Sequence, residues 1–282
     1  MARDLRTALL FPGQGSQTAD MRQTVERHRP DLLELAHSEV GADLFERAAD
    51  GTRWAQPAIY CAALAGFAEL DTEADAMAGH SLGEITALVA AGAIAAEDGL
   101  RLVSARGRLM QEAAETTGDG GMTAVRARED NREAIAEVAA ATNVAIANDN
   151  APDQLVLSGA VRALDDAEAQ LKERGIRGKR LPVAGAFHSP LMEPAVEPFR
   201  ELVNETEIGE PRVPVYSCVT AEPFDDIPAL LVRAITEPVR WLGVMRALDA
   251  RGVTNFVETG PGHVLTNLVR KSLAGPMEAA RA

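Results

Sequence analysis

Residues 76–94 read AMAGHSLGEITALVAAGAI, and this stretch narrows the possible folds more than any other. AMA is apolar and short, as the end of a buried strand would be. ITALVAAGAI is apolar on every side, as a buried helix would be. Between them stands Gly79-x-Ser81-x-Gly83. Two glycines around a serine let a chain turn sharply from strand to helix and leave the hydroxyl exposed at the bend. A strand that feeds a buried helix through so tight a turn belongs to an α/β layer fold. The helix start also aims backbone N–H groups at any negative charge that develops beside the serine.

A serine hydroxyl attacks carbonyl carbon only when a base takes its proton. The chain has five histidines. His28 and His37 fall in polar helical stretches, and His80 adjoins Ser81 on the turn itself. His188, in GAFHSPLM, and His263, in ETGPGHVL, are left as candidate bases, and pattern alone does not choose between them. The order Ser, acid, late His of the common hydrolases favours His263. An oxyanion site needs two donors. The N–H of Leu82 follows the serine and supplies one. FPGQGSQ, residues 11–17, leaves an early strand and offers the second at Gln14, between two glycines.

The chain reads as strand 6–11, a polar helix within 17–28, a buried helix 56–70 with Pro57 in its first turn, and a long helix 97–116. TGDGG, 117–121, breaks this pattern. Strand, helix, strand, strand, helix and strand signals then follow within residues 120–183, the order of a ferredoxin-like unit. After it the strand PVYSCV, helices near 228–237 and 241–251, the strand TNFVETG and a helix from about 263 resume the first pattern. The expected organisation is an α/β domain from 1–119 and 184–282, interrupted by a small domain at 120–183. The terminal PMEAARA is expected to fray.

Helix 97–116 carries an anomaly. Leu102, Val103, Arg106 and Met110 share one face, and Arg108 and Glu112 form an ordinary pair on the opposite one. A guanidinium on an apolar face costs several kcal/mol unless it meets an acceptor. An internal carboxylate or a ligand carboxylate would serve equally, and a planar fork suits either.

The net charge of −14 argues against nucleic acid as a partner. Of 28 basic side chains only three are lysines. Arg174, Arg177, Lys179 and Arg180 cluster in RGIRGKR, which is either a solvated turn or a docking patch for an acidic partner. The longest apolar run, 85–96, is about half of a bilayer span. Leu9, Leu10 and Phe11 are too short a run for a signal peptide. A soluble, cytoplasmic protein is expected. Cys61 and Cys218 have neither metal nor redox spacing and are expected as buried free thiols, and no metal site is expected.

FPGQGSQ (11–17), AQPA (55–58), GHSLGE (79–84), RGRLMQEA (106–113), NAPDQLVLSG (150–159), GAFHSPLM (185–192), PVRW (238–241) and ETGPGHVL (258–265) occur together and in order. As a set they closely resemble the malonyl-CoA:acyl-carrier-protein transacylases and the acyltransferase domains of polyketide synthases, over nearly the whole chain. The resemblance implies a hydrolase-like large domain with a ferredoxin-like insert and ping-pong transfer of malonyl from CoA to the phosphopantetheine thiol of an acyl carrier protein. It implies Ser81 as nucleophile and His188 as base, with the amides of Gln14 and Leu82 as the oxyanion site. Arg106 would grip the malonyl carboxylate, and a backbone carbonyl near Ala234 would orient the histidine. Phe187 matches malonyl-selecting versions of its motif. His263 falls at a variable position, so it is not expected to act. No cofactor is implied beyond the CoA thioester and the carrier's pantetheine, and a monomer is expected. RGIRGKR is the first choice for carrier docking. The segment between Gln17 and Ser81 is shorter than usual for such proteins, by roughly a dozen residues.

Two rival readings are an acyl hydrolase that clears carrier proteins, which gives Arg106 no carboxylate to hold, and an ordinary esterase that depends on His263. A non-catalytic docking subunit would leave Ser81 without an adduct.

Overall fold

The protein is described here by a computed structural model, in which residues 6–41 and 44–273 are described. Two sheets organise it. The first is parallel, in the order β7-β2-β1-β8, with β1 at Arg6–Phe11, β2 at Ala76–Gly79, β7 at Val215–Tyr216 and β8 at Val253–Glu258. RTALLF is buried from its second residue onward and AMAG throughout, as strands covered on both faces must be. Register pairs Leu10 with Ala78 and Phe11 with Gly79. The carboxyl ends of β1 and β2 therefore finish side by side, where α/β sheets collect their ligands. FPGQGSQ leaves from one end and GHSLGE from the other.

Helices pack around this sheet: α1 (Met21–His28), α2 (Pro30–Val40), α3 (Thr52–Glu69), α4 (Gly83–Ala90) and α5 (Ala96–Thr117) before the second sheet. The second sheet is antiparallel and comprises β3 (Gly120–Arg126), β4 (Ala145–Ala151), β5 (Gln154–Ala160) and β6 (Gly178–Arg180). Its order, β4-β5-β3-β6, is ferredoxin-like. Helices α6 (Arg132–Ala141) and α7 (Val161–Glu173) close it through Ile135, Val138, Leu164 and Leu171 against Val125 and Leu157. The chain then returns through α8 (Val196–Glu205), α9 (Ile227–Arg233), α10 (Trp241–Ala250) and α11 (Val264–Ser272). Strand β4 is tied to the returning segment, with Asp149 N donating to Val239 O at 2.9 Å and Val239 N to Ala147 O at 2.8 Å.

Three local readings differ from expectation. α3 starts at Thr52, so Pro57 lies inside the helix and not in its first turn; what is lost is the bond Pro57 would give to the Arg53 carbonyl. α4 stops at Ala90 although the sequence stays apolar, because Gly92 turns at φ 82° and Arg212 caps the Ala90 carbonyl at 2.9 Å. α8 was not anticipated: Pro190 and Pro194 mask its approach, yet Phe199 and Val203 bury one face of it. PMEAARA lies outside the described residues. Cys61 and Cys218 are buried free thiols.

Candidate active site

Ser81 stands at the bend between β2 and α4 with φ 56°, a left-handed conformation that a serine adopts at a cost. Its flanking glycines are sterically required. A Cβ on Gly79 would overlap the Gly83 carbonyl, and one on Gly83 would overlap the carbonyl of Phe11. Strand β1 and the turn are thus in backbone contact. Ser81 Oγ lies 2.8 Å from Nε2 of His188, which is itself at φ 56°.

Nδ1 of His188 donates to a backbone carbonyl at 3.2 Å, that of Glu237. The expected carbonyl, that of Ala234, lies on the same turn and also bears on the ring. α9 ends at Arg233, and the chain turns through Thr236 and Glu237, both of whose amides bond back to the Arg233 carbonyl. The turn presents Glu237 O to the ring, and Ala234 O makes the weaker contribution. The Glu237 carboxylate points away and pairs with Arg233 at 2.8 Å, so only the backbone of this residue faces the site. With its proton on Nδ1, His188 offers a lone pair on Nε2 to the serine. Burial, reinforced by the Arg106 charge, pushes its pKa down to about 3. It is therefore neutral and able to accept a proton at ordinary pH.

Arg106 is only 3% exposed. Its Nη1 donates to Gln56 Oε1 at 2.9 Å and its Nη2 to Ser81 Oγ at 3.1 Å. No carboxylate lies within ion-pair distance of it among the described residues. Glu84, 1% exposed, acts on it only through space. The Glu84 carboxylate accepts from Cys218 N at 2.7 Å, and burial raises its pKa to about 7. Burial lowers that of Arg106 to about 10. The cation is thus aimed at the nucleophile and left short of an anion.

Gln56 was missed as a site residue. Its Nε2 donates to Thr52 Oγ1 at 2.9 Å and to Met110 Sδ at 3.6 Å, which turns Oε1 toward Arg106. A glutamine in an otherwise apolar helix was the available signal.

The amides of Gln14 and Leu82 donate to no acceptor among the described residues. The Gln14 loop is held by Ser16 Oγ on Gly13 O (2.8 Å) and by Gly15 N on Gln17 Oε1 (2.6 Å). Both residues line a cavity of about 540 Å³ between the two sheets, together with Ser81, Arg106, Phe187 and His188. Its far wall, from the second sheet, mixes the apolar Met122 and Val156 with the polar Asn148 and Asn150. His263 is exposed at the start of α11 and does not line the cavity.

The basic cluster divides. Arg174 pairs with Glu137 at 3.0 Å, and Arg180 pairs with Asp165 and Glu168 at 2.8 and 2.9 Å. Arg177 and Lys179 are exposed and form no ion pair among the described residues. No described helix is long and apolar enough to cross a membrane.

A buried guanidinium without an anionic partner among the described residues, a serine and a neutral histidine in one cavity suit transfer of a negatively charged acyl group. Comparison with known proteins agrees. The acyl transferase domain family matches residues 8–282. A malonyl CoA-acyl carrier protein transacylase of Bacillus subtilis is 37% identical over 288 residues, covering 94% of this chain and 90% of that protein. The polyketide biosynthesis protein ThaF of Burkholderia thailandensis is 41% identical over 283 residues, but the chain spans only 24% of its length. Among solved structures, a malonyl CoA-acyl carrier protein transacylase of Clostridium perfringens superposes with a TM-score of 0.87 at 32% identity, over 94% of this chain and 90% of that one. A malonyl-transacylase solved in complex with its type II polyketide synthase acyl-carrier protein gives 0.86 at 33% identity, over 95% and 93%. With its fold and nearly its whole length shared with these proteins, this chain belongs to the acyl transferase family.

Proposed function

We propose that the protein moves a malonyl group from malonyl-CoA to the phosphopantetheine thiol of an acyl carrier protein, through an ester on Ser81. The observation that carries this is the Arg106 guanidinium, buried, without a carboxylate partner and 3.1 Å from Ser81 Oγ. A dicarboxylic half-thioester brings the missing anion and places its thioester carbonyl beside the serine. The guanidinium then exchanges its bond to Oγ for the carboxylate.

His188 Nε2 takes the Ser81 proton as Oγ attacks the thioester carbon. The carbonyl oxygen becomes an oxyanion between the free amides of Gln14 and Leu82, where fixed donors act before charge develops. Collapse breaks the carbon–sulfur bond, and His188 returns the proton to the CoA thiolate. The pantetheine thiol of the carrier then enters. His188 takes its proton, the thiolate attacks the ester, the carbon–oxygen bond breaks and Ser81 recovers its proton. The Glu237 carbonyl holds the imidazole in the required tautomer throughout. No cofactor takes part. Phe187 walls the acyl end of the cavity; one extra methyl there changes binding by about 1–3 kcal/mol, so selection against branched malonyl groups is partial. Arg177 and Lys179, the unpaired half of RGIRGKR, meet the acidic carrier.

The test incubates the protein with malonyl-CoA and holo carrier protein and measures malonyl-carrier against free malonate. Malonyl-carrier as the dominant product supports transfer. Free malonate as the dominant product assigns the chain to hydrolysis. Arg177→Glu with Lys179→Glu should raise KM for the carrier and leave KM for malonyl-CoA unchanged.

A further inference from the structure

His80 stands next to the nucleophile, yet the reaction above gives it no role. Three contacts converge on it. Its Nε2 lies 2.9 Å from Asn150 Oδ1, on strand β4 of the second sheet. With an amide oxygen as acceptor, Nε2 carries the proton. Its ring leans on the indole of Trp241, with centroids 5.5 Å apart at an interplanar angle of 57°. On a third side lies Gly13: a Cβ there would come 2.5 Å from the His80 carbonyl and 3.2 Å from Nδ1.

Gly13 shares a peptide unit with Gln14, whose N–H is one oxyanion donor. The oxygen of that unit is held by Ser16 Oγ at 2.8 Å, and its Gly13 side rests on His80. His80, through its carbonyl and then Nδ1, thus bounds the side of the peptide unit that carries the Gln14 N–H. The His80 main chain is held by its N–H on Phe11 O at 3.0 Å, and its ring by Asn150 and Trp241. Asn150 is 9% exposed, and β4 is pinned to Val239 by the backbone pair flanking Asn148. The imidazole thus ties the serine turn, the oxyanion loop and the second sheet together.

We propose that His80, held by Asn150, is a positioning residue that fixes the Gln14 amide against the second sheet and so sets the oxyanion site. This rests on the malonyl-transfer reading for its substrate but not for its geometry. His80 stays neutral, since burial depresses its pKa, and it adds no further cation beside Arg106.

Losing an oxyanion donor costs roughly 10²- to 10³-fold in rate, and a donor left in place but loosened costs less. Asn150→Ala, which removes the bond and leaves the ring on Trp241, should slow Ser81 acylation about tenfold at saturating malonyl-CoA. The half-saturating concentration should stay within about twofold, because the lost term appears in the transition state. Transfer to a pantetheine thiol should slow by the same factor, since both half-reactions form their oxyanion in one place. His80→Ala should lose at least as much. His80→Gln, whose Nε2 can still donate to Asn150, should recover part of the loss. Melting temperatures show that the variants fold.

A serine-directed fluorophosphonate, whose phosphoryl oxygen uses the same two amides, is run on every variant. Slower phosphonylation in Asn150→Ala and His80→Ala supports the proposal even if malonyl-CoA fails to acylate the wild-type protein, a failure that would overturn the transfer reading instead. Wild-type phosphonylation rates in both variants overturn the proposal. So does a loss seen only in half-saturation for malonyl-CoA, or in one half-reaction, which would make Asn150 a substrate contact.

Discussion

Replacing Arg106 with methionine separates what this side chain does for the reaction from what it does for the fold. Methionine is close in volume and apolar, so Arg106→Met leaves no large cavity. In the free protein the guanidinium donates to Gln56 Oε1 and Ser81 Oγ, at 2.9 and 3.1 Å, and lacks a bonded anion. Removing it leaves Gln56 Oε1 without a donor, a cost of about 1–3 kcal/mol. It also relieves the desolvation of an unpaired cation, a gain of several kcal/mol in the other direction. Glu84, whose pKa is already about 7, takes up a proton when the nearby cation goes. These terms oppose each other, so stability should change by less than about 2 kcal/mol. The reaction has no such compensation. A malonyl carboxylate buried without its partner costs about 3–5 kcal/mol, or roughly 10²- to 10⁴-fold in acylation. Acetyl-CoA brings no carboxylate and should acylate Arg106→Met at least as fast as it does the wild type. The assay is rapid quench with both thioesters, followed by mass analysis of the protein, alongside thermal melting. A variant that melts normally and still prefers malonyl over acetyl as strongly as wild type would refute the reasoning.

Stability against pH tests two buried groups with opposite signs. His188, at about 3 when folded and 6.5 when exposed, makes stability rise with pH between those values. Glu84, at about 7 folded against 4.5 exposed, gives its full contribution below 4.5 and loses it as pH rises through 7. Their slopes oppose between 4.5 and 6.5, so urea midpoints of Glu84→Gln should climb more steeply with pH there than wild type, and those of His188→Ala should fall. Gly83→Ala should destabilise by about 3 kcal/mol in urea melts, because its methyl meets the backbone of Phe11, which no rotamer change relieves. Gly185→Ala places a methyl 2.8 Å from the Phe187 ring and 3.1 Å from Ala114 Cβ. The ring should shift into the acyl cavity, and methyl-branched malonyl-CoA should then acylate more slowly relative to malonyl-CoA.

The parts of the site that were legible in sequence are those that rest on local rules. Gly79 and Gly83 announce the turn because no other residue fits there. Arg106 stands out because helical spacing puts a charge among Leu102, Val103 and Met110. The second sheet was legible because each of its elements is short, regular and bounded by turn residues. What stayed hidden depends on distant backbone. The carbonyl facing His188 is a main-chain atom, so neither Glu237 nor Ala234 carries a side-chain signature for it. The site's link to β4 through His80 and Asn150 spans 70 positions. Gln56 stands within AQPA, but its orienting bonds come from Thr52 one turn back and from Met110 on another helix. The choice between His188 and His263 likewise required the fold, which leaves His263 exposed on α11.

The most direct test of the account is the intact mass of the protein after brief exposure to malonyl-CoA. Wild type should gain one malonyl group, the peptide holding Ser81 should carry it, and holo carrier protein should remove it. A protein that gains no mass, or an adduct that persists in Ser81→Ala, would contradict the account.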